Sequence, residues 1–180
     1  MHDDVACIRC GLALVADFAV THWPLSGEPA WAADVPRWDQ MDAVSTGIAD
    51  GWSSLYGAKA GCLAPDADAF VLASRAASGV ADLAFARRGA FSPQRFVATL
   101  PSVILAPVMM MTGWRGPLFC VQQGESTLSR GLSEAAWLIK SGAARSVGVV
   151  NAVCETVPSG ELVRARFLWL GKSGLTGRPA

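Results

Sequence analysis

Residues Gly113 to Cys154 read G-W-R-G-P-L-F-C-V-Q-Q-G-E-S-T-L-S-R-G-L-S-E-A-A-W-L-I-K-S-G-A-A-R-S-V-G-V-V-N-A-V-C, and the fold is decided there. Leu118–Val121 and Val147–Val153 are short apolar runs of the kind that form strands inside a covered sheet. Between them, Leu128, Leu132, Ala135, Ala136 and Ile139 recur at i, i+4, i+7, i+8 and i+11, on one face of a helix. Gly142 stands where a helix commonly ends in a left-handed cap. Glu125 falls at the helix entrance, directly after Gly124. The order is therefore strand, sharp glycine turn, buried helix, strand.

Upstream, Val5–Phe18 reads as a long apolar strand interrupted by Arg9 and Gly11. His22–Pro36, with three prolines and two tryptophans, reads as a loop. Trp38, Met41, Val44, Ile48, Trp52 and Leu55 recur at three and four residues, so a helix with a core-facing stripe is expected, ended by Gly57–Gly61. Ala69–Ser74 is a further strand, followed by Arg75 and a weakly amphipathic helix from about Ser78 to Arg87. Ser92-Pro93 has the form of a helix start. Three consecutive methionines, Met109, Met110 and Met111, close the apolar run from Val103 and cover every side of a helical turn. At least one of them must leave the core, and methionine suits an adaptable apolar lining. Downstream, a turn over Glu155–Gly160 leads to a strand whose face Val163-Ala165-Phe167-Trp169 is wholly apolar. Residues 172–180 read as a frayed tail.

At 180 residues the length suits one domain, residues 1–171, with a full core. A hydrophobic content of 52% against 17% charged residues implies either an unusually complete core or a surface covered by a partner. No apolar run is long enough to span a bilayer, and the start lacks the basic region of a signal peptide, so a cytoplasmic location is expected. Five cysteines, an odd number, argue for reduced thiols. Cys7 and Cys10 would point to opposite faces of a strand, and His2 and His22 are the only candidates for two more soft ligands nearby, so ordinary thiols are expected, with no metal and no cofactor. The net charge is zero, but residues 1–66 are acidic and residues 67–180 basic. Nucleic-acid binding is disfavoured, since no basic run or aromatic-basic interleaving occurs.

The central stretch resembles the nucleophile segment of the β-ketoacyl synthases of the thiolase-like superfamily. Gly116-Pro117, Val121, Gly124, Ser126-Thr127, Ser141-Gly142 and Val147-Gly148-Val149-Val150 carry the resemblance. The family places a cysteine where this chain has Glu125. The resemblance implies an α/β fold: the N-terminal half of a thiolase-like domain, a mixed sheet covered by helices and lacking the second half. It also implies that the helix holding the methionines lines an acyl tunnel near a dimer interface. Met109, Met110, Met111, Trp114, Phe119, Cys120, Gln122 and Gln123 are then the tunnel and interface candidates, with no catalytic residue.

Condensation of acyl groups needs a thiolate to carry the chain and basic groups for the malonyl carboxylate. The family takes its thiol from the first half and two histidines from the second. This chain resembles the inactive chain-length factors, in particular the short ketosynthase-like proteins of aryl-polyene and related type II polyketide systems. It is expected to pair with a full-length ketosynthase, or else with itself. Leu118–Val121 would be an exposed edge unless paired, and in thiolase-like dimers the equivalent strand pairs across the two-fold axis. Two other readings stand beside this one. Glu125 could act as a base in a malonyl decarboxylase, or the basic half, through Arg87 and Arg88, could dock an acyl carrier protein.

Overall fold

The computed structural model describes residues 12–57, 67–75, 83, 85–87, 97 and 100–172. Five strands form one mixed sheet: β1 (Leu12–Trp23), β2 (Ala69–Ser74), β3 (Leu118–Val121), β4 (Ser146–Val157) and β5 (Gly160–Lys172), in the spatial order β1-β5-β4-β2-β3. β2, β3 and β4 are parallel, as strands joined through a crossover helix must be. β5 runs antiparallel to both β4 and β1. The α-helices that lie wholly among the described residues are α1 (Ala43–Tyr56), α2 (Ala106–Thr112) and α3 (Thr127–Lys140). α1 and α2 lie on one face of the sheet and α3 on the other.

The expected α3 forms with its stripe inward: Leu132, Ala135 and Ile139 are buried against Val71, Val147, Val149, Leu168 and Leu170. Gly131 lets the helix approach closely, since a Cβ there would lie 2.8 Å from that of Ala73. The helix stops as expected, with Gly142 at φ 79° and its amide donating to the Ile139 carbonyl. On the other face, Trp52 of α1 is fully buried among Tyr56, Phe70, Phe167 and Trp169, with ring centroids 4.8–6.2 Å away. Each fully buried ring of the Phe70 kind stabilises the fold by about 1.5–3 kcal/mol.

Several boundaries differ from those expected. β1 continues to Trp23, because Thr21, His22 and Trp23 pair with Val163, Leu162 and Glu161 although their sequence lacks periodicity. Val5–Gly11, including Cys7 and Cys10, lie outside the described residues, as do Ser92-Pro93 and residues 173–180. Lys172, expected in the tail, ends β5. The expected helix from Trp38 divides into a short 3-10 turn, Trp38–Gln40, and α1. Asp42 separates them, its carboxylate accepting the Ser45 amide at 2.7 Å as an N-cap. Leu55, assigned to the core stripe, is exposed at the end of α1. The turn expected over Glu155–Gly160 shrinks to Pro158-Ser159, since Thr156 pairs with Glu161 and Val157 with Gly160. The run from Pro101 begins as 3-10 and becomes α-helical at Ala106; Pro107 is tolerated in the first turn, where no amide is required.

Candidate functional site

Parallel strands bring their carboxyl ends together, and open α/β sheets present ligand sites there. At that end, β2 runs into Arg75 and β3 into the Gln122–Ser126 turn. Gly124 adopts φ 51°, a conformation that favours glycine. The buried Thr127 hydroxyl fixes the turn, donating to the Gly124 carbonyl at 2.8 Å and accepting the Gln123 amide at 2.9 Å. Glu125 is thereby held at the start of α3, where its carboxylate meets the Arg75 guanidinium at 2.5 Å. Both side chains are well exposed, so the pair contributes at most about 1 kcal/mol to stability. Asn151 Nδ2 donates to the Ala73 carbonyl at 2.7 Å, and Ser74 Oγ to the Ala152 carbonyl at 3.1 Å, closing the ends of β2 and β4.

The nearest described thiols are held away from this entrance. Cys120 lies in β3, paired with Leu72, and although the residue is exposed, partial desolvation of its thiol pushes it up. Cys154 lies in β4 on the α1 face, where burial and then its bond to Glu161 (3.2 Å) push it up to about 12. His22 is an exposed residue of β1. Among the described residues, no group of three His, Cys, Asp or Glu is placed to hold a metal ion. Nor is any described helix long and apolar enough to cross a membrane.

The candidate tunnel residues divide between the two ends of β3. At its amino end, Ala106, Met109, Met110, Gly113, Trp114 and Arg115 line an open recess of about 360 Å³. Met110 is 51% exposed, the methionine that leaves the core, whereas Met109 and Met111 pack partly into it. Trp114 is mostly core: its indole N–H donates to the Ala67 carbonyl at 3.0 Å, and its ring stands edge-on to Phe70. Phe119 packs toward α3, and Cys120 faces the opposite way and is exposed. Gln122 and Gln123 lie exposed at the carboxyl end beside Glu125. The length of β3, about 10 Å at 3.3 Å per residue, separates the two groups. Arg75 was not singled out as a site residue. Its signal was topological: in a parallel sheet, the residue following β2 faces the turn that follows β3.

This arrangement defines a mixed α/β, ketosynthase-like fold. The chain is similar to a chain of the solved complex of the ketosynthase ApeO with its chain length factor ApeC from Xenorhabdus doucetiae, with a TM-score of 0.61 and 19% identity, over 91% of this chain and 80% of that one. No protein-family model and no curated protein matches the sequence.

Proposed function

We propose that this chain is a chain-length-factor-like subunit that pairs with an active β-ketoacyl synthase and helps shape its acyl tunnel in polyketide- or fatty-acid-type biosynthesis. The observation that carries the reading is Glu125, a carboxylate bound to Arg75 at the helix entrance where the resembling enzymes place their cysteine. A carboxylate in an ion pair cannot carry an acyl chain as a thioester, and neither described thiol reaches that entrance with a lowered pKa. The edge position of β3 supports a partner, because an unpaired edge strand is a template for another chain. The likeness to a chain of a ketosynthase–chain length factor complex supports the kind of partner.

Co-expression with a full-length ketosynthase from the same gene neighbourhood, followed by size exclusion with light scattering, tests the reading. A stable one-to-one complex is the expected result. A homodimer that ignores the ketosynthase would overturn it.

A further inference from the structure

We draw no further inference here: the strongest candidate, the strip on the α3 side of the sheet where Phe18 and Val20 of β1 stand 53% and 49% exposed, carries nothing, because nothing in the structure shows what covers it.

Discussion

At position 125 the chain holds a carboxylate at a helix start, and the surroundings are those that would activate a thiol placed there. A helix start and a guanidinium both favour an anion. Glu125→Cys is therefore expected to react with iodoacetamide at pH 7 at least about ten times faster than Cys154, read peptide by peptide by mass spectrometry. Equal rates would show that the entrance does not activate a nucleophile. Cys154 supplies the contrast in pH. Its thiol is held up to about 12 from an ordinary 9.0, so the folded state keeps its proton longer than the unfolded chain. Its contribution to stability is present below pH 9 and lost as pH rises toward 12; Cys154→Ser should flatten that alkaline loss in urea titrations. Asp42 follows the same logic at the acid end. Burial raises its carboxyl above 3.8, outweighing the lowering by the Ser45 bonds. Its contribution is present below 3.8 and lost as pH rises through the raised value, leaving a buried charge to be borne at pH 7. Asp42→Asn keeps the cap acceptor without the charge and should be at least as stable as the parent at pH 7, with the advantage narrowing toward pH 4. Asp42→Ala should lose about 1 kcal/mol. An Asn variant less stable than the parent at pH 7 would mean that the charged cap bond outweighs its burial.

The seating of α3 depends on one missing side chain. A methyl group at Gly131 would press on Ala73 of β2, buried backbone and side chain that cannot swing aside. Gly131→Ala should thus destabilise by about 1–3 kcal/mol by overpacking, against a helix-propensity gain of about 1. Urea unfolding checks the sign, and Ala73→Gly in the same chain should restore part of the loss; a stabilised Gly131→Ala would show that the helix can lift off freely. Elements of this kind were the legible part of the sequence. β2 and β3 form over the residues their apolar runs marked, and α3 around the periodic stripe, with burial selecting β2 and the stripe of α3, while β3 lies half-buried at the sheet's edge. What periodicity missed was set by partners distant in sequence. Thr21–Trp23 are strand only because β5 lies beside them, and Thr156–Val157 only because the hairpin closes on Gly160. The site shows the same division. Glu125 was legible as a helix-entrance residue from Gly124 and the stripe that follows. Its partner Arg75, 50 residues earlier, became visible only once β2 and β3 were known to be parallel neighbours.

β3 is one of the two edge strands of the sheet, and among the described residues it pairs on one side only. β3 pairs with β2 through Phe70↔Leu118 and Leu72↔Cys120, and the Phe70 amide donates to the Pro117 carbonyl at 3.0 Å. In a parallel ladder this phase turns the Phe119 and Val121 amides toward β2 and leaves those of Leu118 and Cys120 facing outward. An edge of four residues is short, as safe edges usually are, yet it carries no lysine or proline to block pairing. If a ketosynthase completes the sheet here, Cys120 is the position at which pairing can be removed without touching the internal ladder. Cys120→Pro deletes an outward amide, and Cys120→Lys places a charge on the exposed side chain. Both are expected to keep the cooperative unfolding of the parent and to abolish or greatly weaken the one-to-one complex in light scattering. Ser133→Ala, on the exposed side of α3 and away from this edge, should leave the complex intact. If both Cys120 variants bind as the parent does, the partner must approach another surface, and β3 is an edge kept safe by its shortness alone.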